Sequence, residues 1–181
     1  MPTYEIDVPE GIEIREEKRS IIVKGKKGEL SKEFKNPFIK VKVDGKKIVL
    51  SSETERKKVK AIMGTWRAIL KNMFKGVSRE WRGELKMVYS HFPVKIKTDN
   101  NRLVIENFLG ERNPRSVPIP EGLKAEVKEN VITVTGLDRE RVGQLCGRIE
   151  QITKVRGYDK RVFQDGCYIT KKPHVEETGN E

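Results

Sequence analysis

An internal repeat constrains this chain more than any single motif. Ile12, Ile14, Ile21, Val23, Gly28 and Glu29 recur 82 residues later as Val94, Ile96, Leu103, Ile105, Gly110 and Glu111. Val43, Ile48 and Leu50 map at a spacing of 84 onto Val127, Ile132 and Val134, and Val59, Ile62, Met63, Gly64 and Ile69 map at 83 onto Val142, Leu145, Cys146, Gly147 and Ile152. Offsets that drift by one residue are what loop insertions leave, and a fixed period means that one supersecondary unit is built twice. In each copy short alternating apolar stretches come first and one helical stretch follows. That order implies an α+β class: two tandem copies of a small domain, each a mostly antiparallel β-sheet with one α-helix packed on one face, plus a basic C-terminal extension. The expected boundaries are 1–80 and 81–153 for the two copies, 154–172 for the basic extension and 173–181 for an acidic flexible tail.

Local signals fill in each copy. The first reads as strands near 12–15, 20–24, 38–43 and 47–51, with Asp44-Gly45 as a hairpin turn because glycine accepts positive φ. Ser52 with Glu55 three residues on reads as a capping box; Val59, Ile62, Met63, Trp66, Ile69, Met73 and Phe74 then follow helical spacing until Gly76. The second copy reads as strands over 94–97, 103–107, 123–128 and 131–135, with turns at Asp99-Asn100-Asn101 and Glu129-Asn130. Asp138 caps its helix, whose apolar stripe is Val142, Leu145, Cys146, Ile149 and Ile152; Cys146 is thereby a small buried hydrophobe rather than a nucleophile.

Several function classes find no residues. No apolar run approaches the ~20 residues that span a bilayer, and the acidic, polar start lacks the pattern of a secretory signal, so a cytosolic protein without a membrane partner is expected. Two cysteines and two histidines make neither a disulfide framework nor a metal site. Gly25-Lys26-Lys27-Gly28 follows a strand but opens no helix and lacks the GK[ST] ending, so it is a basic hairpin tip rather than a nucleotide loop. Spacing nominates no catalytic pair, no cofactor and no small-molecule substrate.

The charge points elsewhere. The 38 basic against 27 acidic side chains leave a net charge of +11. Residues 1–80 hold 20 basic and 12 acidic groups, 81–153 hold 12 and 10, and 154–172 hold six and two, before three acidic groups in 173–181. An excess of this size suits a polyanion, nucleic acid first, because neutralising phosphates releases condensed counterions. A solvated Lys/Glu-rich surface of the kind thermophilic proteins use has the same composition. The segment after the last helix is more pointed: its basic residues are interleaved with Tyr158, Phe163 and Tyr168, which suits RNA through phosphate contact and base stacking. The competing reading is a terminal strand after an Asp165-Gly166 turn, with lysines facing water. Phe163 is expected to be buried. Arg112-Asn113-Pro114-Arg115 is a second, weaker basic loop.

The run Phe74-Lys75-Gly76-Val77, then Trp81, then Lys86-Met87-Val88-Tyr89-Ser90-His91-Phe92-Pro93, and finally Arg161-Val162-Phe163-Gln164-Asp165-Gly166-Cys167-Tyr168-Ile169 resembles the L-six family of large-subunit ribosomal proteins, in its archaeal and eukaryotic branch. The resemblance covers residues 3–172. Cys167 stands where the family pattern usually has an aliphatic residue, and Trp81 where a different or smaller aromatic is common. The resemblance implies a non-enzymatic constituent of the large ribosomal subunit that binds 23S-type rRNA near the sarcin–ricin loop and the base of the lateral stalk. Neighbouring ribosomal proteins, those of the stalk base included, would then be partners, with translation factors close by. In the family the second domain and its C-terminal extension make the main RNA contacts, which falls here on Lys154, Arg156, Tyr158, Lys160, Arg161, Tyr168, Lys171 and Lys172. Lys26, Lys27, Arg112, Arg115 and His91 are weaker candidates, His91 being open to RNA contact or to packing between the halves. The alternative is a freestanding RNA-binding or RNA-chaperone module.

Overall fold

A computed structural model describes residues 2–17, 19–89 and 91–176. The chain divides into two compact units, Met1–Glu80 and Trp81–Glu181. Unit 1 runs β1 (Thr3–Asp7), β2 (Glu13–Glu17), β3 (Ser20–Lys24), β4 (Glu29–Glu33), β5 (Ile39–Asp44), β6 (Lys47–Ser52) and α1 (Lys57–Arg79). Unit 2 repeats the order as β7 (Trp81–Val88), β8 (Lys95–Asp99), β9 (Arg102–Glu106), β10 (Arg115–Pro118), β11 (Leu123–Lys128), β12 (Val131–Gly136) and α2 (Arg139–Ile152), then adds β13 (Gly166–His174).

All pairings are antiparallel. Unit 1 has the sheets β1-β6-β5 and β2-β3-β4; unit 2 has β11-β12-β7-β13 and β10-β9-β8. The two copies therefore share one topology, with β1 equivalent to β7, and among the described residues unit 2 alone carries a further strand on that edge. The alternation of β6 and β12 explains why they are central. Ile48 and Leu50, like Ile132 and Val134, point inward and are fully buried. α1 buries Val59, Met63, Trp66, Leu70, Met73, Phe74 and Val77, a spacing of three and four that makes one apolar face. Phe34 meets Trp66 edge to face at 5.2 Å. α2 buries Val142, Leu145, Cys146 and Ile149 against β7, β12 and β13. It sits close because β7 carries Gly83, where a Cβ would lie 2.8 Å from the Cys146 sulfur.

The helix ends differ from their sequence signals. Ser52 closes β6, and its hydroxyl accepts from the Thr54 amide at 3.2 Å, so it caps nothing; α1 begins at Lys57 with no side-chain cap. Gly76 does not stop α1 either. Val77 is fully buried beside Gly25, whose added Cβ would lie 2.7 Å from the Val77 side chain, and this packing carries the helix on to Arg79. The turn is made by Glu80 at φ 59°, its amide donating to the Gly76 carbonyl at 2.9 Å. Asp138 does cap α2, accepting from the Glu140 amide at 2.9 Å. Four strands go beyond those expected from the sequence: β1, β4, β7 and β10.

Residues 154–172 are not an appendage to unit 2. Their second half is β13, which pairs with β7 from Gly166 opposite Val88 to His174 opposite Arg82. Of the tail expected at 173–181, Pro173 and His174 close β13, Glu176 pairs with Arg82, and 177–181 lie outside the described residues.

Two substitutions test this packing by urea denaturation. Ile149→Ala should cost about 2–5 kcal/mol, since it opens a cavity in a fully buried site. Gly64→Ala, on the exposed side of α1 with open space around its Cβ position, should gain about 0.5–1 kcal/mol.

Candidate nucleic-acid interface

The basic surface of unit 2 is organised by one hydroxyl and three rings. Thr153, buried at the C-terminus of α2, donates from Oγ1 to the Ile149 carbonyl at 3.0 Å and accepts from the Cys167 amide at 2.9 Å. Helix end and strand start are thus stitched together, and the loop between them is closed at both ends. Inside that loop the Phe163 ring lies between two others: His91 stacks on it at 4.4 Å and 28°, and Tyr158 leans on it at 4.7 Å and 48°. Phe163 is half-buried rather than buried, and packs against the core of unit 2. The Nδ1 of His91 also lies 3.7 Å from the buried Asp165 carboxylate. His91 therefore packs within unit 2, against the basic loop itself.

A turn at 159–163 then sets the direction of the charges. The Asp159 carboxylate accepts from the Arg161 amide at 2.9 Å, and the Asp159 carbonyl accepts from the amides of Val162 and Phe163. With its backbone so occupied, the turn presents Lys160, Arg161 and Val162 to solvent. Lys154 and Lys160 share the rim of an open cleft of about 280 Å³ with Tyr168, and Asp165 lies at its floor. The Tyr168 hydroxyl donates to the Gln164 carbonyl at 2.9 Å, which fixes a ring that remains 46% exposed. Tyr158 is 50% exposed. Each ring thus offers a free face, the geometry that base stacking needs.

Lys154, Arg156, Lys160, Arg161 and Lys172 are exposed and, among the described residues, none is in an ion pair. Lys171 differs: its ammonium lies 3.0 Å from Glu84 across the β13–β7 pair. Lys27 is tied to unit 1, its amide donating to the Val77 carbonyl at 2.9 Å and its ammonium 3.9 Å from Glu80. Lys26 beside it and Arg112 in the other loop are exposed.

Arg115 is spent inside the fold. Its guanidinium forks onto the Glu111 carboxylate, donates to the Ile152 carbonyl at the end of α2, and lies 4.4 Å over the Phe108 ring. That fork holds the Glu111 carboxyl below its ordinary range. Arg115 therefore anchors the helix end and offers no free charge to a phosphate. The residues that organise the surface, Thr153, Asp159 and Phe163, carry no charge pattern; only the spacing of Asp159 ahead of Arg161, a common side-chain-to-backbone turn, gave a local sign.

Cys146 and Cys167 serve packing. Burial pushes the first thiol up to about 11 and the second up to about 12, so neither is a thiolate near neutrality. A thiol reagent at pH 8 should label neither in the folded chain and both after denaturation. Thr153→Val, which removes the acceptor for the Cys167 amide, should speed labelling of Cys167 more than that of Cys146; equal rates would show that the hydroxyl does not hold β13 in place.

Comparison with known proteins supplies the context. The model of the family described as Ribosomal protein L6 matches twice, over residues 8–80 and 92–166. Large ribosomal subunit protein uL6 of Methanothrix thermoacetophila is 42% identical over 167 residues, which span 92% of this chain and 95% of that protein. The uL6 of Haloarcula marismortui is 38% identical over 96% of this chain and 98% of its own length. That of Methanobrevibacter smithii is 40% identical over 93% and 94%.

Proposed function

Because the chain belongs to the ribosomal protein L6 family, we propose that it is a non-enzymatic structural constituent of the cytoplasmic large ribosomal subunit, binding large-subunit rRNA. The observation that carries the reading is the turn at 159–163 with its neighbours: exposed cations without internal partners, held on a closed loop beside two half-exposed tyrosines. Lys154, Arg156, Lys160, Arg161 and Lys172 supply phosphate contacts, while Tyr158 and Tyr168 supply stacking faces. Lys171 contributes less, since Glu84 already neutralises it. Lys26, Arg112 and His91 are secondary contacts.

The finer placement, near the sarcin–ricin loop and the base of the lateral stalk with translation factors and stalk-base proteins as neighbours, rests on the family resemblance. Salt-sensitive phosphate contacts from a rigid loop position an RNA element without reading its sequence. The folded copies act as spacers that fix where this loop stands.

Sedimentation of a cell extract at low and high salt tests assembly: the protein should stay with the large subunit through the salt wash. Recovery only from the free pool would favour a freestanding RNA-binding or chaperone module. For the site, Lys160→Ala with Arg161→Ala should weaken rRNA binding and lower the log–log salt slope by roughly one for each phosphate no longer neutralised, with the circular-dichroism spectrum unchanged. An unaltered slope would remove these two residues from the interface.

A further inference from the structure

The charge of unit 1 is concentrated on one helix face that the reading above leaves unused. α1 spans 23 residues without a single acidic side chain. Its exposed cations are Lys57, Lys58, Lys60, Lys71, Lys75 and Arg79, and none of them is in an ion pair among the described residues. The other exposed positions are all small: Ala61, Gly64, Thr65 and Ala68. Positions 57, 60, 64, 68, 71, 75 and 79 follow one another at intervals of three and four, so they form a single stripe. The stripe is basic at both ends and small at its waist. Lys60 and Lys71 stand about 16 Å apart along the axis, at ~1.5 Å per residue.

The second copy provides an internal control. α2 holds the equivalent place in the same topology and keeps a glycine, Gly147, at the position of Gly64, yet its exposed side is Arg139, Glu140, Arg141, Gln144, Arg148 and Gln151, of mixed character. The uniformly basic character of α1 is thus no requirement of the fold. It also runs against local helix stability: Lys71, Lys75 and Arg79 are like charges at i, i+4. Consistent local costs of this kind mark functional surfaces.

We propose that this face of α1 is a second RNA-binding surface, and that its ligand is an RNA duplex laid across the stripe. The inference rests on the rRNA reading above. Protein-binding faces carry large apolar or aromatic anchors at their centre, and this one carries only Ala, Gly and Thr. Single-strand platforms need exposed rings, whereas Trp66 and Phe74 of α1 are buried. What remains is a rigid polyanion recognised by its backbone. A-form RNA offers a wide, shallow minor groove between two phosphate strands. The waist at Ala61, Gly64 and Ala68 lets the helix backbone approach that groove, and the two basic ends reach the phosphates on either side. Thr65 adds no bulk beyond its own helix, its hydroxyl donating back to the Ala61 carbonyl at 3.1 Å.

The buried native thiols allow a clean test. Gly64→Cys places a reactive thiol at the waist, because Cys146 and Cys167 are inaccessible. An iron chelate tethered there, in protein assembled into large subunits, should cut rRNA in two segments that pair with each other in one helix. Assembled particles with no cut from position 64, or with cuts only in unpaired RNA, would overturn the proposal. Replacing Lys60, Lys71 and Lys75 together by Gln should leave the fold intact, weaken binding to purified large-subunit rRNA at least tenfold at moderate salt, and lower the salt slope by about 2–3; an unchanged slope would overturn it. Weakened binding to an acidic ribosomal protein, with rRNA binding intact, would assign the face to protein and also overturn it. If the unaltered chain neither enters the subunit nor binds rRNA, the functional reading falls and this inference with it. If Lys160 and Arg161 matter and the α1 residues do not, only this inference falls.

Discussion

The antiparallel pairing of β13 with β7 is the constraint on which the basic surface of unit 2 depends. It turns β7 from an edge into an interior strand, and it returns the chain to the end of α2, where Thr153 receives it. Both ends of the loop over 154–165 are then fixed, so a small number of local contacts, the Asp159 turn and the stack on Phe163, suffice to order it. A loop tethered at one end would lose far more conformational entropy on binding, and the affinity of its cations would fall accordingly. β13 is also well suited to an outermost position. Its lysines and Pro173 leave a poor template for another strand, which keeps the new edge from pairing with a second chain.

The comparison of the copies shows what duplication left free to change. Sheet order, strand direction and the place of the helix are common to both, because these follow from burying the same alternating strands under one amphipathic helix. What differs lies on solvent-facing positions and at an edge. Among the described residues, β1 has a neighbour only in β6, whereas its counterpart β7 is flanked by β12 and β13. α1 runs 23 residues and α2 only 14. The core of each copy tolerates little, since Gly83 against Cys146 and Gly25 against Val77 are contacts that no added methyl group could share without movement. Variation is accordingly pushed outward, to positions where a side chain answers to a ligand instead of to packing.

Much of this fold was legible because the repeat and the periodicities report burial directly. β3, β6, β9 and β12 are inner strands whose apolar residues alternate, and the two helices show one greasy face each. Three of the strands not expected from the sequence have a weak period: β4 and β10 are edge strands with little fully buried surface, and β1 shows only Ile6 as a buried residue. β7 does alternate, burying Trp81, Gly83, Leu85 and Met87, but it follows α1 after the single residue Glu80, with no glycine, proline or asparagine to mark the boundary. Capping and stopping signals failed where tertiary packing outweighed them: Val77 in its pocket carried the helix past Gly76. On the surface, residue type alone could not separate Arg115 from Arg156. One is consumed by Glu111, Phe108 and a helix end, the other is free, and the difference lies in three dimensions.

The same distinction governs how the net charge of +11 acts. Three strand cations are answered in place: Lys40 by Glu53, Lys47 by Glu5, Lys97 by Glu106, each carboxylate accepting from the ammonium and holding its proton more firmly. Such exposed pairs add little stability, but they cancel the field at short range. Cations without such partners are scattered singly on the strands, as at Arg15, Lys24 and Lys42, and are gathered in the loop after α2 and along α1. Counterion release depends on charges that can each meet a phosphate, not on the sum over the chain. A surplus of 20 basic over 12 acidic groups in residues 1–80 would otherwise make the first copy the stronger RNA binder on every side. Outside α1 the 13 basic and 12 acidic groups of that copy nearly balance, so its surplus lies on the helix.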